Sequence, residues 1–393
     1  MVSPLPAEIC ASIFAEVEGL DPSTLFALCR TCRLFLHQAQ RILFRNVDLE
    51  GCSMRATKSW CLAVTRHPHL AQRVHALSLQ LPETMKLQPA DGTKIHRALT
   101  LCVNLKELKV TFEKSAKEKN SIHGWLIEEC PFRLTKFNNL YFSFGWISRF
   151  WTAQSDLRVL SAPHCGPLEL SDEQLPNLVA VKARDPQDLP AGRPLERVET
   201  FFSYYYTPLV QYSHTLTTLN LVRQWVDEEI TILSTMSTIA DLLPALVHFG
   251  ITEVEKQVRD LIILPPYQSH LTKPNSQRPS LLSQAHKRPD MILQKFVRLE
   301  TFVLLLRNCA RYRNPQFPHF NQRSYHIDGH SIKDLGCIIM AECPTLRRTV
   351  LGYEDNTGKE ITCTLRRGLD KDDIQCEMGT EFDFDAMSMF WNP

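Results

Sequence analysis

Leu105-Lys106-Glu107-Leu108-Lys109-Val110 decides how most of this chain is read. Apolar side chains stand at i, i+3 and i+5. In an extended segment the last two share one face, and the residue between them, Lys109, lies on the other. The same triplet recurs as Val74/Leu77/Leu79, Phe137/Leu140/Phe142, Leu157/Leu160/Ala162, Leu178/Val181/Ala183 and Leu195/Val198/Thr200. It continues as Leu216/Leu219/Leu221, Leu246/Phe249/Ile251, Leu299/Phe302/Leu304 and Leu346/Thr349/Leu351. Seven of these ten triplets carry a large apolar residue at the third place, more than scattered leucines readily give.

The triplet resembles the strand signature of leucine-rich repeats, Leu-x-x-Leu-x-Leu. That resemblance implies a solenoid whose short strands line a concave face while the triplet residues fill its interior. Successive steps are 31, 32, 20, 21, 17, 21, 30, 53 and 47 residues. The middle steps suit such repeats, and the last two require insertions. Asn308 stands near the place of a ladder asparagine, which the other units mostly lack, so the array is degenerate. The competing reading is a generic α/β domain, in which any buried parallel strand gives similar triplets. An eight-stranded α/β barrel is disfavoured, because the middle steps leave little room for a covering helix. If the strands form a solenoid, target-facing positions include Lys106, Glu107, Lys109, Thr217, Thr218, Asn220, Arg223 and Trp225.

Bulk composition narrows the function classes. At 393 residues the chain is too long for one simple domain. Its 44% hydrophobic and 22% charged residues describe a chain that folds. A net charge of +1, from 44 basic and 43 acidic residues, creates no field that would gather nucleic acid or an anionic membrane. The longest apolar runs, such as Phe302 to Leu306, are far short of a bilayer span. Thirteen cysteines without repeated spacing, no secretory signal and no Asn-x-Ser/Thr acceptor point to a reducing, cytoplasmic or nuclear setting.

The N-terminal stretch has a different period. Pro6 and Glu8 suit a first helical turn, with Ile9, Ile13, Phe14 and Val17 on one face and Gly19 as a stop. Asp21-Pro22 starts a second helix carrying Leu25, Phe26, Leu28 and Cys29. A third runs from about Cys32 through Phe35, Leu36, Ala39, Ile42 and Leu43. Leu5-Pro6-x-Glu8-Ile9, Ile13-Phe14, Leu25, Leu28, Cys32-Arg33-x-Phe35 and Leu43-Phe44-Arg45, closing on Val47 and Leu49, resemble an F-box of the fungal type.

That resemblance implies docking on a Skp-family adaptor, which bridges to a cullin and its RING partner. The docking residues it implies are Leu5, Pro6, Ile9, Ile13, Leu25, Leu28, Cys32, Phe35 and Leu43, with Phe35 standing where the family commonly has tryptophan. A plainer reading makes the same residues the core of a helical cap.

Two further stretches break the pattern. Residues 265 to 290 hold five prolines, with Lys273, Arg278, Lys287 and Arg288 against Asp290 alone, and read as an inserted basic loop. Residues 370 to 393 form an acidic tail in which Glu381-Phe382-Asp383-Phe384-Asp385 alternates acid with aromatic. It suits either a docking motif or a cap folded over the last repeat.

The sequence holds none of the usual catalytic constellations: no nucleophile elbow, no phosphate-cradling glycine loop and no His-Glu-x-x-His helix. Cys29-x-x-Cys32 lies inside the helical segment without a second ligand pair. Gly329 argues against a helix presenting His326 and His330 beside Asp328. The expectation is therefore a non-enzymatic protein without cofactor or metal. Its fold class is α/β: a three-helix F-box over 1–49, a leucine-rich-repeat-like solenoid over 50–369 and the acidic tail. Its expected function is that of a substrate-recruiting ubiquitin-ligase adaptor acting on an unknown protein. The alternative is a leucine-rich-repeat-like interaction scaffold without ligase function.

Overall fold

The computed structural model describes residues 9, 12, 22–113, 122–224, 232–254, 289–306, 332–354, 359–368, 373–380 and 384–391. The chain divides into two compact units, residues 1–178 and 179–393.

In the first unit, Ile9 and Ser12 are helical, and Pro22 opens α1 (Pro22–Leu28) as its fixed φ favours. Helix α2 (Arg33–Leu43) follows, with Cys32 extended at its N-cap. Then come β1 (Asn46–Leu49), α3 (Met54–Arg66), α4 (Pro68–Ala71), β2 (Ala76–Leu81) and α5 (Pro89–Leu101). The unit continues with β3 (Glu107–Phe112), β4 (Lys136–Asn139), α6 (Ser148–Ala153) and β5 (Val159–Ser161). Each strand pairs in parallel with the next one in the chain.

The second unit holds β6 (Ala180–Lys182), β7 (Arg197–Phe201), β8 (Thr218–Gln224), α7 (Ile232–Leu242) and β9 (His248–Val254). It continues through α8 (Pro289–Leu293), β10 (Thr301–Leu306), α9 (Ile332–Glu342) and β11 (Arg348–Glu354). It ends with β12 (Glu360–Arg367), β13 (Ile374–Gly379) and the single turn α10 (Phe384–Met387). Strands β6 to β11 pair in parallel in chain order. Strands β12 and β13 close the order antiparallel. Residues 374–379, inside the acidic stretch, are thus part of the sheet.

The register makes this a repeat-like α/β fold. Val47, Leu77, Leu108, Phe137 and Leu160 are successive partners in the first unit. Val181, Val198, Leu219, Phe249, Phe302 and Thr349 are successive partners in the second. Except for Val47, which is half-buried, every residue of these two columns is buried.

The strand entries share a second regularity: one carbonyl accepts two consecutive N–H groups from the following repeat. Arg45 O receives the amides of His75 and Ala76, His75 O those of Lys106 and Glu107, and Lys106 O those of Thr135 and Lys136. Glu196, Thr217, Val247 and Glu300 accept in the same way in the second unit. A twisted parallel strand is thereby locked to its predecessor at its first residue, with both amides satisfied.

This ladder corrects one triplet and adds another. Phe137 aligns with Leu108 and Leu160, so the fourth strand's triplet is Leu134/Phe137/Asn139 and not Phe137/Leu140/Phe142. The larger apolar residues three places on disguise it. Phe44/Val47/Leu49 has the same spacing, and its residues 46–49 form β1. The closing phrase of the F-box-like motif is therefore the first strand of the sheet.

Step length decides what returns the chain. Steps near 30 residues carry helices such as α3 and α5, whose buried Trp60, Cys61, Val64, Ile95, Ala98 and Leu99 cover the core face of the sheet. The shorter steps between β5 and β8 have room only for single 3-10 turns, at Pro186–Asp188 and Thr207–Tyr212. Most of the basic stretch 265–290 lies outside the described residues; its end, Pro289 and Asp290, begins α8.

Candidate interaction surface

Side chains between the triplet positions project from the far face of the sheet. From β1 to β4 of the first unit most of that face is polar and accessible, whereas at β5 Val159 and Ser161 are buried. Asn46, Ala76, Glu107 and Lys136 form one row, and Asp48, Ser78, Lys109 and Asn138 the next. Opposite charges meet across it: Lys136 with Glu107 at 3.2 Å, and Lys109 with Glu50 at 2.5 Å. Lys106 stands 4.0 Å from Asp156 at the strand entries. Exposed pairs of this kind contribute little to stability, so they are free to exchange partners with a docking protein.

The far face of the second unit is closed. Arg197, Glu199, Thr218, Asn220, Val222, His248, Thr252, Val303, Leu305 and Val350 are all buried there. Among the described residues, the segment 384–391 covers part of it, over Asn220, Val303, Leu305 and Val350. Phe384 and Met387, three apart on α10, pack against Val303, Leu305 and Val350. Beyond them Ser388 and Phe390 are fully buried. The Asn220 side-chain amide donates to Ser388 O at 2.8 Å, across 168 residues of sequence.

Asn220 is itself held in place. Its Oδ1 lies 3.2 Å from His248 Nε2, so His248 donates from Nε2 in the neutral form. A Cβ at Gly250 would collide with Asn220 Oδ1, so glycine makes room for this side chain. Burial, and then the charge of Arg348, push the His248 pKa down to about 4. Burial also lowers the pKa of Arg348, with Arg366 adding to the shift.

The candidate target-facing residues divide between these settings. Glu107 and Lys109 lie on the accessible face of the first unit, Lys106 and Thr217 are exposed at strand entries, and Thr218 and Asn220 are buried. Arg223 is half-buried, and Trp225 lies outside the described residues.

Of the candidate docking residues, Leu25 is buried with Ala39 in a small core, against which Leu28, Phe35 and Leu43 pack half-buried. Ile9 and Cys32 are exposed, as are Phe26 and Leu34 beside them. Leu5, Pro6 and Ile13 lie outside the described residues, as do His326, Asp328 and His330. Among the described residues no three His, Cys, Asp or Glu side chains gather as a metal site. No described helix is long and apolar enough to cross a membrane.

The covered face had a legible signal that the triplets hid. Phe302-Val303-Leu304-Leu305-Leu306 is apolar at every position, which marks a strand buried on both faces. The triplet marks only one face of each strand.

No family model matches this sequence, and no curated protein does. Among solved structures, a similar chain is the leucine-rich repeat-containing protein LegL7 from Legionella pneumophila. It is 12% identical, aligned over 73% of this chain and 85% of its own, with a TM-score of 0.41.

Proposed function

We propose that this chain is a protein-interaction scaffold whose N-terminal helices dock on a Skp-family adaptor and whose sheet holds a protein target for ubiquitin transfer. The observation that carries the reading is the first unit's polar, charge-alternating far face beside helices that leave Ile9, Phe26 and Leu34 exposed. Solvent-facing apolar side chains on so small a helical cluster suit a partner that completes its core. The F-box-like order of residues 5 to 49 names the class of that partner. The reaction itself belongs to the assembled ligase. This chain contributes proximity, raising the effective concentration of target lysines at a charged enzyme.

The test is adaptor binding by calorimetry with the Leu5→Ala/Ile9→Ala chain. Two lost anchors worth about 2 kcal/mol each lower affinity ~1,000-fold. The second reading, a scaffold whose helices only cap the sheet, is favoured by the interior position of Leu25 and by the continuity of the motif with β1. It gains if adaptor affinity is unchanged by these substitutions while the melting temperature falls.

A further inference from the structure

The segment 384–391 lies across the sheet face that a scaffold of this architecture would offer to a target. Three features give it the character of a bound ligand. Its contacts are made to side chains on strands: Phe384 and Met387 lie on the apolar patch of Val303, Leu305 and Val350, and Ser388 O accepts from the Asn220 amide. Its internal order is local, with Ser388 N donating to Phe384 O at 2.7 Å and Phe390 N to Ser388 Oγ at 3.2 Å. It also turns through Met389 in the left-handed region, φ 55°, an unfavourable conformation for a residue with a side chain. The receptor side is preformed on strands, because Gly250 admits the Asn220 side chain and His248 orients it.

We infer that residues 384–391 are an internal occupant of the second unit's far face, displaced when a partner protein presents a segment of the same chemistry. That segment is a short helical turn carrying two apolar side chains three residues apart. A backbone carbonyl follows for Asn220, then a buried aromatic, and acidic residues precede the turn. The chain's own version places Glu381 and Asp383 before the turn and Asp385 within it in sequence, and the face carries Arg197 and Arg348 beside the buried Glu199. Closure of this face thus regulates target binding. The inference rests on the scaffold reading but not on adaptor docking.

The probe is a fluorescein-labelled peptide spanning residues 380–393, titrated into the full chain and into its Phe384→Ser/Met387→Ser/Phe390→Ser variant. An internal competitor at an effective concentration on the order of 1 mM weakens a peptide of ~10 µM intrinsic affinity about 100-fold. The variant therefore binds the peptide about 100-fold more tightly than the unaltered chain does, and a peptide with the same three substitutions does not bind. Equal affinity for both chains, or no binding to a folded variant, overturns the inference.

Amide hydrogen exchange on the unaltered chain decides the matter even where the variant fails to fold. The amides of Ser388 and Phe390 exchange at least roughly tenfold faster than those of β10 and β11 if the segment is released locally. Exchange only at the rate of those strands makes the segment fixed core, and the inference fails. Peptide binding without adaptor binding removes the ligase reading and leaves this one standing; the converse result does the reverse.

Discussion

Two buried residues show how much a single polar side chain carries here. Asn139 fills a triplet position that elsewhere is mostly apolar. It is tolerated because its Oδ1 accepts from Phe142 N at 2.8 Å and Tyr141 N at 3.3 Å while its amide donates to Phe142 O at 2.9 Å. Asn139→Ala leaves the buried amides of Tyr141 and Phe142 without this acceptor and Phe142 O with only the Cys165 thiol, and costs about 2–4 kcal/mol in urea unfolding. The neighbouring Asn138→Ala, on the far face, stays within about 0.5 kcal/mol.

His248 makes the second case through pH. Its folded pKa of about 4 lies below the ordinary 6.5, so between these values the unfolded chain binds the extra proton. Stability is complete above about pH 6.5, falls as pH drops towards 4, and loses on the order of 3 kcal/mol in all. His248→Gln flattens that part of the stability–pH curve measured by denaturant titration. Neither role was legible in the sequence. Asn139 was hidden behind Leu140 and Phe142, and a histidine's burial is set by what covers it.

At the level of elements, the strands were the most readable part, because each buries the same alternating face and one-dimensional spacing suffices to find it. Nine of the ten triplets fall on strands in the expected register. Strand β1 escaped because its residues also complete the helical motif. Strands β12 and β13 escaped because antiparallel strands with partly exposed patterns carry no triplet. Gly250 marks a constraint at this scale, since strand β9 must leave space for its neighbour's amide. Gly250→Ala presses a methyl group against Asn220 and costs about 1–3 kcal/mol in thermal unfolding, with loss of protection at Ser388 in hydrogen exchange.

For the whole molecule, the junction between the helical motif and the first strand sets where the helices can be removed. Because Arg45 O holds His75 and Ala76 and β1 pairs with β2, the helices end before the sheet's first strand does. A chain beginning at Phe44 keeps β1 and melts close to the full chain. One beginning at Glu50 exposes the unpaired edge of β2, melts lower and aggregates, as light scattering during a thermal ramp will show. Only the first of these truncations isolates the contribution of the helices to adaptor binding.

Among the described residues, the strand pairings join neighbours in the chain, whereas residues 384–391 reach back to Asn220 and to Val303, Leu305 and Val350. During synthesis strands emerge in order, and each can settle on its predecessor as it appears. The far face of β8 to β11 is then complete while residues 384–391 have yet to be made. A nascent chain accordingly passes through an interval in which that face is bare and receptive, and any partner or chaperone present at the ribosome meets it before the protein's own segment can.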